Sequence, residues 1–474
     1  MIAQVSRHAH IRTSFFVLKL LIILTAGYWS FGKAFAYIGI YPLYIGEVAI
    51  GLGLLALLRY GTIPVPRNTL FWIFGILLWI CLGQSVYSVI ILDQPALEVI
   101  RGLAVIYYGV FAYITFVVIE RSRKPGEFFE RMLTDILPRA APWILLGSTI
   151  TAVGAIYFHY LLPIFPRTDV PVLWYKPTDA VMPLVVIIVL WMRGYLKSRY
   201  AVWAAGLVLF AAARSRSAML GVGIAFLLML WRPTKRMLIA MSVGTLVFVL
   251  LLVTDVSIDM GYREISARQF MANAISLVSS DQASEIDPTT GNNTSWRLDW
   301  WTAIVNDAVD NTRFIVGTGW GDNLANRYGF QIFAETEGVN VLRNPHNALI
   351  GILARGGWIV AGLWTLFHVV LISGLWQATR KTACSLVERD VAWVCLIYIV
   401  VSLINGSTDV FLESPQNAIP HWVVVGVAWS LIYRQAEPAV EEPAADPEHA
   451  VHTQRQRRAL SPVQPQPLGR AENP

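Results

Sequence analysis

Apolar stretches about as long as a bilayer is thick recur along nearly the whole chain, and that recurrence decides the fold class. A helix needs about 20 mostly apolar residues to cross roughly 30 Å of hydrocarbon. Such stretches fall at 14–31, 42–58, 69–91, 99–119, 141–162, 179–193, 198–213, 217–231, 237–253, 357–376, 391–405 and 418–433. The expectation is an all-α polytopic membrane protein with about twelve transmembrane helices. Composition agrees. The chain is 55% hydrophobic and only 14% charged, where a soluble domain holds about 25% charged residues. The run from Ser14 to Phe31 lacks a small-residue cleavage site and is followed by further spans, so it reads as a span, not a cleaved leader.

Placing the N-terminus in the cytoplasm puts the basic clusters Arg121, Arg123, Lys124 and Arg232, Lys235, Arg236 inside. The short outer loops then carry only Lys33, Arg167, Lys176, Arg214 and Arg216. This asymmetry sets both termini inside. Residues 1–433 read as one membrane domain, with a long outer loop at 254–345 between spans nine and ten. Residues 434–474, rich in Pro, Glu, Gln and Arg, read as a disordered cytoplasmic tail. No internal repeat is evident. The net charge of +6 is accounted for by the inner loops and does not point to nucleic acid. Cys81, Cys384 and Cys395 show no metal-ligand spacing and imply no disulfide.

Three stretches stand out against the apolar background. "AAARSRSAML" joins spans seven and eight, and the run before it, Ala201 to Ala213, rises only about 20 Å. Arg214 and Arg216 are therefore expected to sink toward the edge of the hydrocarbon, where arginines face an interior partner; snorkelling to the interface is the plainer alternative. "SWRLDWWTAIVNDAVD", in the long loop, puts Trp296, Trp300 and Ile304 on one helical face. Two readings stay open: an interfacial helix with an aromatic belt, or an aromatic surface for sugar rings with Arg297 beside it. "NPHNALIGILARGG" opens with Asn344 as a cap and Pro345 in the first position. His346 and Asn347 then fall in the first turn of a short helix, Pro345 to Ala354, which meets a break at Gly356-Gly357. The positive helix end disfavours an imidazolium and attracts phosphate, leaving the ring able to accept a proton. An interfacial histidine without chemistry is the bland alternative; Arg214, Arg216, Arg297 and Arg343 on the same side weigh against it. "NGSTDVFLESPQN" adds outer-facing Asp409 and Glu413, candidates for orienting His346 or an acceptor. Arg101 is expected to pair with Glu98, Glu47 or Asp93.

"PHNALIGILARGGWIVAGLW" resembles the His-Asn signature of the bacterial O-antigen ligase and O-antigen polymerase superfamily, in which that pair opens a short helix before a Gly-rich start to the next span. "SRSAMLGVGIAFLLML" is similar to its Ser-Arg-rich joint. "SWRLDWWTAIVNDAVDNTRFIVGTGWGD" resembles its Arg-x-x-x-Trp segment with a following Gly-x-Gly, and "PLYIGEVAI" its early Tyr-x-Gly-Glu. The resemblance covers about residues 20–433. One departure is visible: "RFIVG" stands where a proline often precedes the Gly-x-Gly.

The resemblance implies transfer of a glycan from a polyprenyl (undecaprenyl) diphosphate carrier to a hydroxyl acceptor, at the periplasmic face of the bacterial inner membrane. The acceptor is lipid A core for a ligase; a polymerase or a protein O-oligosaccharyltransferase would use another glycan or a protein hydroxyl. Arg214, Arg216 and Arg297 take the diphosphate, for which arginine forks are suited. His346 takes the acceptor proton, and Asn347, Arg343, Asp409 and Glu413 are candidates for acceptor or orienting roles. No cofactor and no metal is expected: the first outer loop, "FGKAFAYIGIY", holds no acid. The partners expected are the lipid-linked donor, a glycan or lipid A-core acceptor and membrane lipids. The rival class is a lipid-linked glycan transporter or flippase, which would place polar groups near the midplane and on both faces, commonly with repeats.

Overall fold

The computed structural model describes residues 2–59, 65–66, 68–122, 124–157, 165, 171–254, 257–259, 264–275, 282, 295–311, 315–333, 342–382 and 384–436. Regular structure among them is almost all helical. The principal helices are α1 (Ile2–Phe31), α2 (Ile45–Leu58), α3 (Thr69–Ile90), α4 (Ala96–Gly102), α5 (Val110–Glu120), α6 (Leu137–Tyr157), α7 (Pro177–Met192) and α8 (Ser198–Arg214). They continue as α9 (Arg216–Leu230), α10 (Lys235–Thr254), α11 (Ala267–Ile275), α12 (Ser295–Asp310), α13 (Leu324–Tyr328), α14 (Ala348–Arg380), α15 (Leu386–Thr408) and α16 (Pro415–Ala436). Two short hairpins pair Gly39–Ile40 with Leu43–Tyr44 and Ser257–Asp259 with Glu264–Ser266.

Side-chain caps mark several helix starts. Asn68 accepts from Phe71 N at 2.9 Å before α3. Ser385 and Glu388 form a reciprocal capping box before α15. Ser215 ends α8 in extended geometry and caps α9 by accepting from Ala218 N.

Each of the twelve apolar stretches overlaps a helix. Among the described residues four helices are long and apolar enough to cross a membrane alone: α3, Pro125–Gly154, α14 and α15. A fifth is added if α4 and the helix after it, Ala104–Glu120, count as one span bent by 54°. α2, α7, α9 and the Phe16–Phe31 part of α1 are apolar but shorter. α15 is the most enclosed of the long helices, packed between α14, α9 and α7. Around the bundle the outward faces are apolar, with Trp79, Val202, Leu246 and Val253 all more than two-thirds exposed. Residues apolar on both the inward and the outward face suit a helix bathed in lipid.

The two ends of the bundle differ from its middle. At one end Asp390 accepts from Tyr195 Oη at 3.0 Å and pairs with Arg193 at 3.4 Å. Mid-bundle, α14, α15 and α16 share a buried polar chain. His368 Nδ1 lies 2.9 Å from Trp364 O, His368 Nε2 is 3.3 Å from His421 Nε2, and His421 Nδ1 is 2.5 Å from Ser402 Oγ. The opposite end, where α14 and α16 begin and α15 stops, carries the candidate site. The expected disordered tail lies outside the described residues from 437 onward.

Candidate functional site

The site is built on an interruption of α14. At Gly357 the backbone turns to φ 76°, ψ −178°, a region open essentially to glycine alone. The loop Gly317–Trp320 docks against this break through its backbone. Thr318 N donates to Ala354 O at 2.8 Å and Gly319 N to Arg355 O at 3.1 Å. Gln84 of α3 donates to Gly356 O at 2.9 Å and accepts from Trp320 Nε1 at 3.2 Å. The expected break at the glycine pair is thus present, and "GTGWGD" is the part that receives it.

The expected cap is corrected. Asn347, not Asn344, caps α14: its side chain accepts from Ile350 N at 3.1 Å. His346 sits at φ 57°, so the stretch ahead of it is not helical and His346 precedes the first turn. Asn344 is used otherwise, its Oδ1 accepting from Arg355 Nη2 at 2.6 Å. Arg355, only 3% exposed, also donates to Arg343 O at 3.2 Å and lies 3.9 Å from Glu413 Oε1.

His346 is buried, and its Nδ1 stands 3.7 Å from Asp409 Oδ1. Asp409, at the end of α15, is the hub of the site. Lys176 Nζ approaches its Oδ2 at 2.9 Å and donates to Val410 O at 3.0 Å. Thr178 Oγ1 donates to the same Oδ2 at 2.8 Å, and Val410 N to Oδ1 at 2.7 Å. Burial alone would raise the Asp409 carboxyl; Lys176 and His346 overcome it and hold the group well below the usual carboxylate range. Asp179, in the first turn of α7, accepts from Asn417 Nδ2 at 2.7 Å and Gln416 Nε2 at 3.4 Å. Burial pushes Glu413 up to about 7, with Arg355 and Lys176 offsetting it in part.

Arg297 donates to Thr408 O at 3.2 Å and lies over the Trp296 ring at 5.4 Å, which brings it to the end of α15 beside Asp409. Trp301 Nε1 donates to Pro345 O at 2.6 Å, tying α12 to the histidine turn. The reading of α12 as an aromatic surface for sugars is corrected for two of its rings. Trp300 is fully buried and Trp296 nearly so, in a cluster with Ile304, Leu324, Ala325, Leu342 and Ala354. Arg214 closes α8 over the Phe210 ring at 5.6 Å, and Phe210 packs on Tyr175, the neighbour of Lys176. Arg216, half-buried, opens α9 one residue past Ser215. Arg343 pairs with Glu98 at 2.5 Å, and Arg101 with the same carboxylate at 3.9 Å. Glu47 instead accepts from Tyr108 Oη at 2.6 Å and Tyr107 Oη at 3.1 Å. No group of three or more His, Cys, Asp or Glu with metal-holding geometry occurs among the described residues.

Two arginines at a helix joint, a third on a tryptophan helix and a histidine turn before a glycine break thus meet at one end of a helical bundle. Residues 200–365 match the O-antigen ligase family model. The resemblance to the O-antigen ligase superfamily holds over that third of the chain. Members of the O-antigen ligase family are glycosyl-transferring membrane enzymes. No curated relative matches the chain. The O-antigen ligase match takes in Arg214, Arg216, Arg297, Arg343, His346, Asn347 and Arg355. It leaves out Lys176, Asp179, Asp409 and Glu413, which come from outside the matched segment.

Lys176 and Arg355 are the residues that sequence reasoning left without a role. Lys176 was one charge in a loop count; the local signal was a lysine directly before a proline-started helix with Thr178 and Asp179 in its first turn. Arg355 lay in plain view before the glycine pair, inside an apolar run where a charge requires a partner.

Proposed function

We propose that the chain transfers a glycan from an undecaprenyl diphosphate carrier to a hydroxyl acceptor, at the periplasmic face of a bacterial inner membrane. In this reading the shorter apolar helices also cross, giving about twelve spans with both termini cytoplasmic. The acceptor is a glycan or a lipid A core, for polymerase or ligase chemistry respectively. The reaction is a single inverting displacement without metal. The acceptor oxygen bonds the anomeric carbon, the bond from that carbon to the diphosphate oxygen breaks, and the acceptor proton passes to His346. Arg214, Arg216 and Arg297 stabilise the charge growing on the diphosphate, the larger part of the catalysis.

The observation that carries this reading is the contact of His346 with Asp409 at 3.7 Å, in a cluster that Lys176 and Arg297 also enter. A histidine oriented by a carboxylate is the arrangement of a general base. A transporter would look to the mid-bundle pair His368 and His421, but all four of their ring nitrogens already face Trp364 O, Ser402 Oγ or each other.

The test uses purified protein, a lipid diphosphate-linked glycan and candidate acceptors without divalent metal. His346→Ala should lower transfer by about 100- to 10,000-fold while donor binding persists, and His346→Gln should be nearly as inactive. Near-normal transfer in His346→Gln removes the base role.

A further inference from the structure

We infer that Lys176 is a positioning residue of this site: it supplies the counter-charge for Asp409, so that His346 need not become that counter-charge and stays able to accept a proton. The inference rests on the base role proposed for His346.

One buried carboxylate, Asp409, must have one compensating positive charge. Two cationic candidates approach it, Lys176 at 2.9 Å on Oδ2 and His346 at 3.7 Å on Oδ1. The lysine is nearer and makes a second bond to Val410 O, which fixes both the carboxylate and the peptide after it. The other charged groups of the site are committed in the structure. Arg297 of α12 reaches Thr408 O. Arg355 of α14 is shared between Asn344 and Glu413. Asp179 of α7 is held by Asn417 and Gln416. Arg214 lies over Phe210 at the end of α8. With the lysine in place the Asp409–Lys176 pair is neutral as a whole. The ring then stands beside a carboxylate 3.7 Å away without being drawn into a full ion pair. Remove the lysine charge, and His346 is the titratable partner left in contact with Asp409 among the described residues. The ring would then hold a proton as the new cation, and a protonated imidazole cannot take one from an acceptor.

The experiment follows transfer rate and donor binding against pH in full-length Lys176→Met, Lys176→Arg, Asp409→Asn and the double variant Lys176→Met/Asp409→Asn. In Lys176→Met the acid limb of the rate profile should move up by about one pH unit or more, each unit lowering the rate on that limb about tenfold. Transfer should recover at alkaline pH, with donor binding unchanged. Lys176→Arg should keep the original limb. The double variant, which buries no lone charge, should bring the limb back to or below its original position. A Lys176→Met rate lowered by one factor at every pH, or with an unmoved limb, overturns the inference. Should Lys176→Met not fold, Asp409→Asn and the double variant decide: limbs at the same pH mean that His346 does not feel the lysine charge, and the inference fails. An active His346→Gln removes the base reading itself; an inactive His346→Gln with an unmoved limb in Lys176→Met overturns this inference alone.

Discussion

Gly357→Ala is the sharpest test of how the site is held. At φ 76°, ψ −178° a residue with a Cβ costs about 1–3 kcal/mol. An added Cβ would stand 2.4 Å from Ile315 O and 2.9 Å from Val316 N. These are backbone atoms of the docked loop, so no side chain can swing aside. Moving the loop away breaks Thr318 N to Ala354 O and Gly319 N to Arg355 O, at about 1 kcal/mol each. A loss of about 3 kcal/mol or more follows. Gly362→Ala is the control: it lies in the same helix, helical in backbone and with nothing within 4 Å of an added Cβ. That substitution should stabilise by about 0.5–1 kcal/mol. The assay is the half-life of folded protein in detergent at a fixed elevated temperature, together with transfer rate, since unfolding of such a protein is read as a rate. A Gly357→Ala protein as long-lived as Gly362→Ala refutes the reasoning.

Three further outcomes are expected. Arg214→Ala and Arg216→Ala should each weaken use of the donor far more than folding, with poor rescue by Lys because a point charge lacks the planar fork; full activity in both Lys variants would contradict this. Glu413, pushed by burial from its ordinary 4.5 to about 7, keeps its proton more tightly folded than unfolded, so its cost to stability should appear progressively as pH rises from about 4.5 to about 7 and be absent below. Glu413→Gln should flatten thermal stability across that window, and parallel curves for the two proteins would reject it. Finally, an impermeant thiol reagent should label Asn311→Cys on intact cells but native Cys384 only after the membrane is broken; the reverse order would invert the proposed orientation.

Legibility in the sequence followed locality. His346, Asp409 and Glu413 could be singled out because each is a polar group at the mouth of an apolar run, and Arg297 because it stands among tryptophans. The break at Gly357 was readable from the glycine pair. Asn344 misled because the feature that diverts it, Arg355, reaches back from the next turns and takes its carbonyl oxygen at 2.6 Å. The period of α12 identified which face is apolar, but not that Leu324, Leu342 and Ala354 would cover it. Lys176 remained a loop charge because its partner, Asp409, is near the other end of the chain. That the apolar runs form helices was visible, whereas the 54° bend after α4 was not.

The buried chain through His368 and His421 has a direction. Trp364 O can only accept, so the proton of a neutral His368 sits on Nδ1 and its Nε2 accepts. His421 must then donate from Nε2, which leaves its Nδ1 to accept from Ser402. The serine has a single hydrogen, so it gives up Ile399 O, 3.0 Å away, to complete the series. Every donor points the same way, from α15 through α16 to α14. With both rings charged, N–H would stand against N–H at the 3.3 Å contact and part the two helices there. The three helices that carry the candidate site at their ends are thus joined, deep in the bundle, by a seam that closes unless both rings are charged.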